Sequence, residues 1–236
     1  DSLQGVVVES TFNWYWLVDG LQEHGYSVHL ANPSAIQQYE GLKHTDDQWD
    51  SFWLAHMHRL GILPEGYIYP KEHRAVRDLL RRRLLFVQHS TSHILSLQSM
   101  ISRNLGFKMS NNEIRKLKPE DIVGLFTCPN LVFMDNNSLS AIKFLKKISL
   151  DIEKKVKSQV KMRKEFEMLL TTPGIGNILG LTIMLEVGDI GRFPKVGDYS
   201  SYCRCVGSTR LSNGKKKGEN NKKNGNKYLA WAYVEA

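Results

Sequence analysis

The chain has 236 residues, 42% of them hydrophobic, enough for one or two domains with real cores, and the composition excludes wholesale disorder. Its net charge of +8 is unevenly placed: residues 1–70 hold nine acids and two bases, a net of −7, and residues 71–236 carry +15. No run of about 18 apolar residues is present to span a membrane, and no signal peptide is visible, so a cytoplasmic protein is expected. The three cysteines, Cys128, Cys203 and Cys205, lack zinc-site spacing and fit a reducing compartment. An acidic head on a basic body fits metal-binding carboxylates brought to a polyanion, although a solvated acidic surface gives the same count.

The first predicted strand covers residues 5–9, Gly-Val-Val-Val-Glu, a β-branched run with a carboxylate at its mouth. Ser10 or Thr11 can cap the aromatic-rich helix that follows, and Gly25 ends it. Residues 26–30 read as a second strand, and Asn32-Pro33-Ser34 opens a short helix to Tyr39. Strand, helix, strand and helix at these intervals predict an α/β layer. Thr45 or Asp46 would cap the next helix, in which Asp47 and Asp50 are three apart and share a face. Asp46 and Asp50, four apart, also share one, so spacing does not choose between the pairs. His56 and His58 are read as surface or packing histidines.

Residues 61–70 form a linker punctuated by Pro64, Gly66 and Pro70. Apolar steps of three and four then predict a long helix over 71–104, with a gap at Gln98, and a second over 138–160. The two are expected to pair as an antiparallel, coiled-coil-like hairpin, with an irregular segment over 108–137 broken by Pro119 and Pro129. Residues 169–176 include Pro173-Gly174-Ile175-Gly176 ahead of an apolar helix over 177–186. Glycines Gly174 and Gly176 in that place look like a helix-hairpin-helix turn, whose N–H groups would receive a phosphate. A tight helix–helix turn without a ligand has the same sequence.

The basic tail, residues 200–229, carries Arg204, Arg210, Lys215, Lys216, Lys217, Lys222, Lys223 and Lys227 against the single acid Glu219. It cannot bury a core of its own, and it can present cations and amides to a phosphate backbone. A solvated charged loop is the alternative. Ser212 sits in it beside Gly214, which allows close backbone approach.

Glu9, Asp47 and Asp50 make a hard-oxygen set suited to Mg²⁺ or Mn²⁺, unless they are solvated cap acids. Phosphoryl-transfer sites commonly use about four carboxylates around two ions, and Asp1 and Asp19 are poorly placed to be the fourth. All eight histidines lie at or before His93, so none neighbours Ser212, and no Gly-x-Ser-x-Gly motif is present. A nucleophilic Ser212 would therefore depend on metal-bound acids or surrounding lysines for activation, with Ser200, Ser201 and Ser208 as rival hydroxyls.

Six short motifs occur in order: Val-Val-Val-Glu-Ser (6–10), Asp-Gln-Trp-Asp-Ser (47–51), Pro-Gly-Ile-Gly (173–176), Glu-Val-Gly-Asp-Ile-Gly-Arg-Phe (186–193), Ser-Tyr-Cys-Arg-Cys-Val-Gly (201–207) and Leu-Ser-Asn-Gly-Lys (211–215). With them the chain resembles bacterial insertion-sequence transposases that join an Asp-Glu-Asp-Asp, RuvC-like domain to a C-terminal serine domain and are directed by a bridge RNA. The resemblance implies that Glu9, Asp47 and Asp50 bind metal and that Ser212 attacks a DNA strand to form a 5′-phosphoserine link. It also implies a composite site between protomers of an RNA-bound homo-oligomer. The family's first Asp has no counterpart, and its Asp-Arg-x-Asp-Ala is here Asp47-Gln48-Trp49-Asp50-Ser51.

The expected architecture is α/β plus α. A truncated RuvC/RNase H-like domain would cover 1–70, a helical hairpin 71–165, and a mostly helical serine domain with a helix-hairpin-helix-like element and basic tail 166–236. The expected partners are DNA, a guide RNA and further copies of the chain, with no membrane. Arg210, Lys215, Lys216, Lys217, Lys222, Lys223, Lys227, Gly174 and Gly176 would contact nucleic acid. The alternatives are a junction-resolving nuclease without a covalent step and an inactive nucleic-acid-binding fragment.

Overall fold

The computed structural model describes residues 3–36, 46–160, 164–207, 209–219 and 224–236. In chain order the first elements are β1 (Val6–Glu9), α1 (Trp14–Glu23), β2 (Val28–Ala31) and α2 (Asp47–Arg59). The middle of the chain is helical: α3 (Lys71–Leu105), α4 (Asn111–Lys116), α5 (Pro119–Leu125), α6 (Pro129–Gln159), α7 (Lys164–Leu170) and α8 (Asn177–Val187). It closes with α9 (Val196–Tyr202), β3 (Thr209–Ser212), β4 (Lys215–Glu219) and α10 (Lys227–Glu235). The result is mostly helical with a small parallel sheet, compatible with the α/β plus α class.

Two compact units form: residues 1–74 with 187–234, and residues 75–186 with 235–236. The first of these is discontinuous, combining residues 1–74 with 187–234.

In the first unit β1 and β2 pair in parallel, with Val6 opposite Val28 and Glu9 opposite Ala31. Side chains alternate across a strand. Val6 and Val8 pack with Val18, Leu17 and Leu21 of α1, whereas Val7 packs with the cluster of Leu54 and Met57 on α2. A sheet covered on both faces requires the unbroken valine run that the sequence displays. Helix α1 does not use Ser10 or Thr11 as its cap. Its N-cap is Asn13, without a side-chain cap bond, and the Thr11 hydroxyl instead donates to Asn13 Oδ1 at 2.8 Å. The helix expected after Asn32 is a 3₁₀ turn, Pro33–Ala35, and its extension to Tyr39 lies outside the described residues.

The second unit contains the expected antiparallel hairpin. Ile94, Leu97 and Ile101 near the end of α3 cluster with Leu139 and Ile142 of α6, while Leu80 near its start clusters with Ile152 and Val156. Arg83 and Glu153 link the same helices at 2.8 Å. The gap at Gln98 has a purpose: its amide donates to Met109 O at 2.7 Å and Asn111 Oδ1 at 2.9 Å, holding the connection to α4.

The segment 108–137, expected to be irregular, is largely helical. Pro119 and Pro129, read as breaks, are N1 residues that begin α5 and α6, where a missing N–H costs nothing. Ser110 and Glu113 form a reciprocal capping box that starts α4.

Candidate functional site

The acids come first. Alternation along β1 puts Glu9 on the same face as Val7, the face covered by α2. On α2, Asp50 lies four and seven residues before Leu54 and Met57, so it shares the stripe that packs on the sheet. Glu9 and Asp50 thus sit on facing surfaces, both half-buried, with Asp47 exposed in the same first turn. Asp46 is distinguished from Asp47 by its hydrogen bond: its Oδ1 accepts from the Trp49 N–H at 2.7 Å as the helix cap.

Among the described residues, no hydrogen bond or ion pair engages the carboxylates of Glu9, Asp47 or Asp50. Asp19, weighed above as a fourth acid, is engaged: Arg74 donates to it at 2.7 Å, and Lys71 lies 3.9 Å away. Asp1 lies outside the described residues.

The three acids are not gathered into a closed cage. Among the described residues, the group whose three potential ligand atoms all lie within 4.8 Å of one another is His29, His58 and Glu65. Mg²⁺ commonly takes one or two carboxylates and completes its shell with water and substrate phosphate. Such a site would leave its oxygens open to water, as these three carboxylates are among the described residues.

The 186–193 motif behaves differently, since its two carboxylates are engaged by the protein and Arg192 Nε donates to Val187 O at 3.1 Å, while Arg192 Nη2 is buried without a hydrogen bond among the described residues. Within the second unit, buried Glu186 accepts two bonds from Arg81, at 2.6 and 2.7 Å. Within the first, Asp189 caps the 3₁₀ turn Ile190–Arg192 through the Gly191 N–H at 2.8 Å. The Arg192 guanidinium lies over the rings of Tyr67, Phe193 and Tyr202 at 4.3, 4.3 and 4.5 Å. Aromatic faces attract a desolvated guanidinium, and this one fastens the C-terminal segment within its unit.

The basic tail contains a β-hairpin that apolar patterning does not reveal. β3 and β4 are antiparallel with Ser212 opposite Lys215, and Asn213 and Gly214 turn between them with φ of 53° and 72°. Two consecutive positive φ values define a turn that Asn-Gly favours strongly. Ser212 is therefore the last strand residue before the hairpin tip, with exposed Lys215 and Lys216 directly after it. Lys227 lies over the Tyr228 ring at 5.2 Å. Lys222, Lys223 and Ser208 lie outside the described residues, and Arg210 and Lys217 are placed by their strand positions in β3 and β4.

Arg204, counted above among the tail's cations, donates to the carbonyls of Asn224 and Gly225 at 2.8 and 3.1 Å. Asn226 caps α10 by accepting from Tyr228 and Leu229 N–H groups, and its own N–H donates to Tyr202 O at 2.7 Å. The hydroxyls of Tyr199 and Tyr233 bond to each other, joining α9 to α10. Burial pushes the Cys203 thiol up to about 11, which disfavours the thiolate that a metal would need. Gly174 adopts a φ of 92°, and a side chain there would collide with the Ala236 carbonyl, so the position requires glycine. Gly176 precedes α8, and its carbonyl accepts from the Gly180 N–H at 2.9 Å.

Comparison with known proteins bears on this segment. Residues 166–236 match the family described as Transposase IS116/IS110/IS902, a stretch that includes the hairpin and Ser212. No curated protein matches the chain. No helix among the described residues is long and apolar enough to cross a membrane.

The sequence reading missed His29, His58 and Glu65. They are 29 and seven residues apart, with no motif spacing, and only the folding of β2, α2 and the 61–70 segment brings them together.

Proposed function

We propose that the protein is a DNA transposase or recombinase of an insertion sequence, guided by a noncoding RNA, in which the Ser212 hydroxyl is the nucleophile. The observation that carries this reading is the transposase-family match across residues 166–236, the stretch whose β-hairpin carries Ser212 at the end of its first strand. Ser212 Oγ would attack phosphorus in the DNA backbone. The Oγ–P bond forms, the bond from phosphorus to the 3′-oxygen breaks, and that oxygen leaves as a 3′-hydroxyl with a proton. One phosphodiester replaces another, so strand exchange needs no external energy source.

Glu9, Asp47 and Asp50 would hold Mg²⁺ or Mn²⁺, which supplies positive charge to the phosphoryl oxygens when bound. Their support is that they lack protein partners among the described residues and that Glu9 and Asp50 occupy facing surfaces. The exposed Lys215 and Lys216 would steady the DNA backbone beside the hydroxyl, with Arg210, Lys217, Lys222, Lys223 and Lys227 adding charge. Sequence choice would lie with base pairing to the guide, and the protein would read backbone and shape. Further copies of the chain would complete the assembly.

A strand-exchange assay with guide RNA, Mg²⁺ and labelled target DNA tests this. Ser212→Ala should abolish exchange while leaving DNA binding intact. Exchange at full rate in that variant would instead identify a nuclease that uses activated water, and binding without any cleavage by the unaltered protein would identify a non-enzymatic nucleic-acid binder.

A further inference from the structure

We propose that His29, His58 and Glu65 form a second cation site, selective for a borderline divalent metal of the Zn²⁺ class and distinct from the acids of the proposed chemistry. Each ligand comes from a different element: His29 from β2, His58 from the last turn of α2, and Glu65 from the segment whose backbone bridges to Ala31. Their ligand atoms all lie within 4.8 Å of one another.

His29 Nδ1–H donates to Glu65 Oε1 at 2.9 Å. Two ligands on one tetrahedral Zn²⁺ at ~2.0–2.1 Å sit roughly 3.3 Å apart, so a cation can take the place of that proton with little movement. The imidazoles of His29 and His58 have centroids 4.1 Å apart. The rings are tilted by 44° and must turn slightly apart for both to offer in-plane lone pairs to one ion.

The surroundings allow this approach. A side chain at Gly5 would meet His58 Nε2 at 3.0 Å and His29 Nε2 at 3.1 Å, so the glycine lets the two rings approach each other, and His29 Nε2 lies 3.2 Å from the Ser27 hydroxyl, which leaves Nδ1 as the ligand atom. Two nitrogens and one carboxylate oxygen suit Zn²⁺ rather than Mg²⁺, and three protein ligands leave one position open.

The site also lies away from the acids. Gly5 precedes β1 and Glu9 ends it, while His58 follows Asp50 by eight residues of α2, roughly 12 Å of helix rise. A metal here would tie the end of α2 to β2 and to the 61–70 segment, fixing the helix whose first turn carries Asp47 and Asp50.

The test is a titration of the metal-stripped full chain with Co²⁺, whose d–d absorption reports tetrahedral coordination, followed by displacement with Zn²⁺. One equivalent should bind with tetrahedral bands and without thiolate charge-transfer absorption. His58→Gln and Glu65→Gln should each lose the bands while keeping the helical circular dichroism. Zn²⁺ should raise the melting temperature of the unaltered protein and leave both variants unchanged. Failure to bind Co²⁺ saturably, bands that persist in His58→Gln, or thiolate absorption would overturn the site.

Discussion

Two acid-bearing stretches of this chain use their charges in opposite ways. In residues 186–192, Glu186 is gripped by Arg81, Asp189 caps a 3₁₀ turn and Arg192 lies among three aromatic rings. In the β1–α2 layer, Glu9, Asp47 and Asp50 have no hydrogen-bond or ion-pair partner among the described residues. Both stretches look like functional motifs in sequence. Carboxylates held by an arginine or a backbone N–H serve the fold's stability, whereas those without a partner among the described residues keep their oxygens free for the proposed ligand.

Substitutions can break that contrast. The largest effect is expected at the open acids: Asp50→Asn and Glu9→Gln should each lower Mg²⁺-dependent strand exchange by about a hundredfold or more, with little change in melting temperature. Loss of stability without loss of exchange would reverse their assignment. Glu186→Ala should show the opposite balance. It removes both charge-assisted bonds to Arg81 and empties a buried side-chain site, and should destabilise the fold by about 3 kcal/mol, seen as a lower urea midpoint at unchanged slope.

A third, smaller effect tests a buried acid outside both stretches. Asp135 on α6 is buried with Oδ2 unpaired, and desolvation holds its pKa above the ordinary 3.8. Because the folded pKa is the higher one, ionisation costs stability above it, and that cost disappears below the unfolded value. Asp135→Leu should therefore stabilise by about 1–2 kcal/mol at pH 7. The gain should shrink as pH falls through the raised pKa toward 3.8 in urea unfolding at several pH values. The smallest effect belongs to the tail: Lys215→Ala should flatten the log–log salt dependence of duplex binding by about 0.9.

What sequence reveals of this fold follows from which interactions are local. The valine run of β1, Gly25 after α1 and the three-and-four spacing of α3 each specify an element from its own residues, and those elements formed as expected. Pro119 and Pro129 misled because proline both ends helices and begins them, and the choice depends on what packs next. The β3–β4 hairpin was hidden by its lysines, although Asn213-Gly214 is a strong turn signal once apolar alternation is set aside. At the candidate site, Glu9 and the acid helix were legible as motifs. The pairings of Asp19 with Arg74 and of His29 with Glu65 join residues 55 and 36 apart and have no local signature.

In the proposed function the hydroxyl that ends β3, beside the tip of a lysine-bearing hairpin, carries out the chemistry. The most direct measurement is to react the protein with guide RNA, Mg²⁺ and target DNA, digest the DNA, and map the residue that retains a nucleotide by mass spectrometry. A 5′-phosphate link on Ser212 is the predicted result. Efficient strand exchange with no adduct, or with the adduct on another residue, would contradict it.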